Sequence, residues 1–178
     1  VIIENLRLVT PRLRLIPATV ATVRAEMSNH KLLGDLLQAR IPSEWPPEQL
    51  REALPYFLDR MEAKPFGTGW FGWYGVLPAS YEMPGFLIAS AGFMGEPVDG
   101  VAKVGYSVLP EFQRQGYATE IVGALLRWSQ QQLEAPIIEA ETDEDNLASR
   151  RVLEKLSFTQ IDSGGDTTIL RYRWNATA

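Results

Sequence analysis

The sequence contains no cysteine and a single histidine, His30. The first absence excludes disulfides, thiolate metal ligands and a cysteine nucleophile. The second excludes a histidine cluster around a metal and makes any Ser-His-Asp triad depend on His30 alone. His30 has no partner at a telling spacing and reads as a surface helix residue. No apolar run approaches the ~18 residues of a membrane span. From Val1 onward no basic segment leads into a hydrophobic one as in a secretory signal. No membrane partner and a cytoplasmic location are therefore expected. Basic residues are also few: 17 Lys and Arg stand against 22 Asp and Glu, a net charge of −5. Nucleic-acid backbones bind basic faces, so no nucleic-acid partner is expected. The chemistry left to the chain is that of carboxylates, hydroxyls, phenols, backbone amides and water.

With 178 residues, 46% of them hydrophobic, the chain suits one compact domain with a sizeable core. Prolines and glycines are scattered as turn punctuation, and neither an internal repeat nor a linker is visible. Residues 6–16 read as a strand broken by Pro11, with Leu13 and Leu15 alternating against Arg12 and Arg14. Helices are predicted over 18–27, 31–39 and 48–61, the last with Leu50, Leu54, Phe57 and Leu58 on one stripe. Pro42, Pro46 and Pro47 make 41–47 a loop. The period then changes: strands are predicted over 67–77, 86–95 and 101–109, with a hairpin-like connection over 78–84. In the third strand Ala102, Val104, Tyr106 and Val108 share a face. A long helix over 117–133 carries Ala118, Ile121, Val122, Leu125 and Trp128 on one side. A strand over 136–141, a helix over 147–156 and strands over 158–162 and 168–174, around a turn at 163–166, complete the chain. Antiparallel meanders followed by a strand-helix-strand crossover make an α/β (α+β) mixture.

The most informative segment joins the strand ending at Pro110 to the helix opening at Tyr117. The first turn of a helix has backbone N–H groups without internal partners, at the positive end of the helix dipole. Gly116 has no Cβ, so a ligand can approach the backbone closely there. That geometry favours an anionic diphosphate without a metal, and Arg114 could touch an outer phosphate. A plain turn explains the same residues. The segment matches neither a Rossmann G-x-G-x-x-G nor a P-loop ending in Lys-Ser/Thr, although a nucleotide-binding domain is a further reading.

Gln113-Arg114-Gln115-Gly116-Tyr117-Ala118 matches Gln/Arg-x-x-Gly-x-Gly/Ala, the acyl-CoA signature of the GNAT N-acetyltransferase superfamily. Downstream, the run from Asp145 to Phe158 resembles the Asn-x-x-Ser helix followed by Leu-Gly-Phe of the ribosomal-protein-alanine acetyltransferase-like branch. Thr10-Pro11-Arg12-Leu13-Arg14-Leu15 resembles the opening strand of that branch. The resemblance covers nearly the whole chain in element order and is most specific over 104–158. It implies a single domain over 1–178, with an acceptor side over about 1–65 and a CoA-binding core over 101–160. The sheet would be mixed and mostly antiparallel, with splayed central strands flanked by helices. The co-substrate would be acetyl-CoA, with no metal.

Residue by residue, the resemblance implies that the pantetheine arm lies along Tyr106, Ser107 and Val108, in a gap before the strand over 136–141. Backbone amides of Arg114, Gln115, Gly116, Tyr117, Ala118 and Thr119 would hold the pyrophosphate. Asn146 would hydrogen-bond the arm, and it equally suits a helix N-cap. The N–H of Val108 is a candidate oxyanion donor. Glu141 is the expected general base, with Glu96, Asp99 or a water chain as rivals. Position 153, where several relatives carry a tyrosine as the general acid, is Leu153, and the resembled branch implies Ser149 as its replacement; backbone bonding of its hydroxyl is the plainer alternative. Lys103 stands where many relatives have glutamate, and Ser157 replaces the usual glycine. Trp45, Trp70, Phe71, Trp73 and Tyr74 suit either an acceptor pocket or core packing. The implied reaction is direct acetyl transfer to a primary amine, on a protein N-terminus or a small molecule. A non-catalytic acyl-CoA sensor on the same fold is the alternative. The acceptor-side half carries no chemical motif, and exposed sheet edges would permit a homodimer.

Overall fold

The computed structural model describes residues 6–64, 67–80, 84–132, 137–161 and 168–176. The turn expected over 163–166 and part of the connection over 78–84 lie outside them. An eight-stranded sheet runs in the order β1-β2-β3-β4-β5-β6-β8-β7. Its strands are β1 (Leu8–Val9), β2 (Arg14–Pro17), β3 (Gly72–Leu77), β4 (Phe86–Phe93), β5 (Val101–Val108), β6 (Ile137–Asp143), β7 (Thr159–Ile161) and β8 (Ile169–Asn175). The helices are α1 (Val20–Ser28), α2 (His30–Leu37), α3 (Glu48–Ala63), α4 (Tyr117–Gln132) and α5 (Leu147–Lys155). This is the expected element order. One difference is that 67–71 form turns and β3 starts only at Gly72.

Local chemistry sets the boundaries. Thr19 caps α1 by accepting from the Thr22 N–H, and the Thr22 hydroxyl accepts from the Thr19 N–H in return. Asn29 caps α2, and Gln38 ends it in the left-handed region. α5 closes with the N–H of Phe158 on the Leu153 carbonyl and that of Ser157 on the Glu154 carbonyl. That pair of bonds is a Schellman motif, and Ser157 occupies its left-handed position at φ 64°.

The sheet buries both faces. Leu15, Trp73, Ala89, Ala91, Phe93 and Val104 belong to a core shared with Ile121, Leu125 and Trp128 of α4. Trp70, Trp73, Phe93 and Trp128 pack there ring against ring. Ile16, Tyr74, Val76 and Leu87 face the other way, into a core with Val23, Leu33, Leu37 and Leu54 of α1–α3. The neighbouring face of β6 and β8 carries Glu139 and Glu141, which pair with Arg171 and Arg173.

Every strand pair is antiparallel except β5 with β6, the product of the β5-α4-β6 crossover. That parallel pairing covers only Val101↔Ile137, Ala102↔Ile138 and Lys103↔Glu139. Beyond it β5 stays on β4 as far as Val108, and β6 stays on β8 as far as Asp143. The inner edges of the two strands therefore part, which matches the splay expected from the sequence.

Candidate active site

The parting of β5 and β6 lies beside the mouth of α4. Between them a single 3-10 turn, Pro110–Phe112, carries the chain from strand to helix. Arg114 (φ 60°) and Gly116 (φ 84°) are both left-handed, a pattern that turns successive amides toward a common point. Among the described residues no acceptor takes the N–H of Arg114, Gln115, Gly116, Tyr117, Ala118 or Thr119; the next amide, Glu120, bonds the Gly116 carbonyl. Residues 113–116 are exposed. A Cβ on Gly116 would make only ordinary contact with Arg12, at 3.5 Å. Glycine is there for its backbone conformation and open approach, not for internal packing.

A lock that sequence reasoning missed holds this mouth. Glu120 accepts from the Thr10 hydroxyl at 2.6 Å, the Arg12 N–H at 2.9 Å and Arg12 Nε at 2.7 Å. Arg12 also donates to the Gln115 carbonyl at 2.9 Å, and its guanidinium stacks 4.3 Å from the Tyr117 ring centroid. Partial burial pushes the Glu120 carboxyl up, but the donors from Thr10 and Arg12 outweigh it and hold the group below the usual range. Thr10 and Arg12 belong to the opening motif, so the resemblance named the residues without naming the contact.

The other expected residues converge on the same parting. Asn146 caps α5 by accepting from the Ser149 N–H at 3.1 Å, which leaves its side-chain NH2 without a partner among the described residues. The Ser149 hydroxyl has no partner among the described residues either. The Ser149 carbonyl accepts from Tyr106 Oη at 3.1 Å, which ties β5 to α5. Burial raises the Tyr106 phenol. Ser107 is half-buried on the opposite face of β5 from Tyr106, and the Val108 carbonyl takes Gln113 Nε2. Glu141, half-exposed on β6, bonds Lys103 Nζ at 2.8 Å, with Arg171 Nε 3.6 Å away. Lys103, which stands where many relatives have glutamate, thus becomes the partner of the expected base. Glu96 instead bonds Lys64 on the surface.

A second feature lies where α1 and α3 cover β3–β5. A cleft of about 290 Å³ runs from Val23 and Glu26 of α1, past Leu50 and Phe57 of α3, to Gly105 and Ser107 beside the parting. Gly72, Gly92 and Gly105 are paired in register across its floor. Glu26 is buried, 3% exposed. It accepts from Trp45 Nε1 and from Tyr74 Oη, each at 2.7 Å. Burial pushes its carboxyl up to about 7, against the lowering effect of those two donors. The sequence signal was available: Glu26 follows Val23 by three residues, which puts an acid on the buried stripe of α1. His30 is exposed, as expected. Among the aromatics weighed for a pocket, Trp73 and Tyr74 border the cleft and Trp70 packs in the core.

An open, mostly antiparallel sheet parted at its one parallel pair, with an amide-lined helix mouth beside the parting, is the architecture expected of a GNAT-type N-acetyltransferase. A family model described as the acetyltransferase (GNAT) domain matches residues 12–159. The chain is also 30% identical over 151 residues to YjdG of Bacillus subtilis (strain 168), named as an uncharacterized N-acetyltransferase; the match covers 84% of this chain and 87% of that protein. The chain belongs to the GNAT acetyltransferase family. Solved structures share its fold. An acetyltransferase from Agrobacterium tumefaciens str. C58 superposes with a TM-score of 0.64 at 20% identity, over 98% of this chain and 96% of that one. The ribosomal-protein-S5-alanine acetyltransferase of Vibrio fischeri gives 0.59 at 16%, over 97% and 96%. RimL, a ribosomal L7/L12 α-N-protein acetyltransferase solved with coenzyme A, gives 0.60 at 18%, over 94% and 96%.

Proposed function

We propose that the chain transfers an acetyl group from acetyl-CoA to a primary amine by direct attack, with residues 1–65 on the acceptor side and 101–160 on the cofactor side. The observation that carries this reading is the open row of six amides at the mouth of α4, next to the parting of β5 and β6. These residues fit acetyl-CoA. The amides of Arg114 to Thr119, at the positive end of α4, suit a pyrophosphate. The inner edge of β5 at Tyr106, Ser107 and Val108 suits an extended amide-bearing arm, which it would take as an added strand. Asn146 keeps its side-chain NH2 free to donate to that arm while its oxygen caps α5. Bound there, acetyl-CoA supplies the acetyl group as an activated thioester.

Two side chains then move protons. Glu141 takes a proton from the acceptor's ammonium, which must exchange with Lys103 at the carboxylate to reach it, and the free amine then attacks the thioester carbonyl. Ser149, at the start of α5 and with no partner for its hydroxyl among the described residues, donates a proton toward the departing thiolate and regains one from water. General acid-base groups contribute roughly 10²–10⁴-fold in rate.

The test combines turnover with binding. The protein is mixed with acetyl-CoA and a panel of peptides, polyamines, amino acids and aminoglycosides, and free CoA thiol is followed. Glu141→Gln and Ser149→Ala should slow transfer and leave CoA binding intact. Gly116→Val places a branched side chain at φ 84°, among the amides, and should weaken CoA binding by roughly tenfold or more. Saturable CoA binding with silence on every amine would leave the sensor reading in its place.

A further inference from the structure

The cleft over β3–β5 has two chemically different ends. One end lies at Gly105 and Ser107, on the strand whose far edge is the parting; the other is the buried Glu26 carboxyl, among apolar walls from Val23, Leu50 and Phe57. Glu26 is the one carboxyl among the described lining residues, and no described cation lies within ion-pair distance of it. Its neighbours are Tyr74 of β3 and Trp45. In the cavity on its other side stand His30 of α2 and Arg51 of α3, whose guanidinium donates to the Pro46 carbonyl. A buried carboxylate held by two neutral donors lacks a countercharge.

Resting on the acetyl-transfer reading, we propose that the acceptor is a two-ended amine. The nitrogen to be acetylated lies beside Ser107, an apolar body fills the cleft, and a second, cationic nitrogen meets the Glu26 carboxylate. The spacing suits such a ligand. Tyr74 and Ser107 share a row across the sheet through Ser90. They are two strands apart, roughly 10 Å at ~4.8 Å per strand. The glycine row leaves the floor between the ends bare. A peptide suits the cleft less well: the strands beneath it spend their backbone groups on one another, and the walls offer few partners for peptide amides.

Calorimetric titration of the whole protein in the presence of CoA tests this, with α,ω-octanediamine against octylamine as probes. The diamine should bind roughly tenfold or more tightly, as a charge-assisted hydrogen bond predicts. Glu26→Gln should remove the diamine's advantage and bring the two affinities together. Tyr74→Phe keeps the carboxylate and should keep the preference. Octylamine binding the wild type as tightly as the diamine overturns the proposal whatever the variants do, and so does a preference that survives Glu26→Gln in a folded variant. Turnover separates the two readings. A diamine preference without acetylation of either amine supports the cleft assignment and removes acetyl transfer; equal acetylation of both amines does the reverse.

Discussion

Replacing Glu26 by glutamine should make the protein's stability respond differently to pH, in a window fixed by one carboxyl. In the fold that carboxyl is held up to about 7, against an ordinary value of 4.5. Below about 4.5 it is protonated in both folded and unfolded chains and costs nothing. As pH rises further the unfolded chain ionises first, so the folded state loses ground until the buried group ionises as well. At about 1.4 kcal/mol for each tenfold in proton affinity, the loss totals about 3 kcal/mol. Glutamine keeps the shape and an acceptor oxygen but has no proton to lose. Denaturant melts of both proteins across this range should therefore show wild type falling relative to Glu26→Gln between about pH 4.5 and 7, and a constant difference above. Tyr74 stays neutral throughout, because burial and the Glu26 charge raise its phenol well above the usual range. His30 and Arg51 face the group from the adjoining cavity, where each contributes to its surroundings. Repeating the comparison in a His30→Asn background removes that contribution. Parallel stability curves in that background would refute the reasoning.

Two further predictions concern the frame of the site. Ser157→Gly should stabilise the protein by about 1 kcal/mol, since a side chain in the left-handed region costs about 1–2 kcal/mol and glycine's looser unfolded chain returns part of it. The melting temperature should rise by roughly 2–4 °C with CoA binding unchanged; no rise would mean that the Schellman position is unstrained. Glu120→Gln should cost about 1–2 kcal/mol by weakening the bonds to Thr10 and Arg12. Because the Glu120 carboxyl is held low, its contribution is present above the ordinary carboxylate value and lost as pH falls through the lowered one. The two proteins should thus converge in acid, as read by urea melts.

The elements were legible because periodicity is local: the stripe Ile121, Val122, Leu125 and Trp128 needs no tertiary knowledge to identify α4. The parting of β5 and β6 came from family resemblance, because strand register is a property of two distant segments. The left-handed Arg114 left no mark in the sequence, since only glycine advertises a positive φ. The Lys103–Glu141 pair joins residues 38 apart in the chain, and neither sequence position names the other. Glu26 was readable in principle as an acid on an apolar stripe. Its ties to Trp45 and Tyr74 were not, since they depend on how α1, the loop over 41–47 and β3 come together.

The bare floor of the cleft also fixes how its capacity can change. A methyl on Gly72 would touch the Ala18 side chain at an ordinary 3.5 Å, and one on Gly105 would press only the mobile tip of Met94, at 3.2 Å. One on Gly92 would collide with the rigid carbonyl oxygen of Phe71. Descendants of this chain can therefore narrow the chamber from either side by single alanine replacements, whereas its midline is frozen by the backbone beneath it.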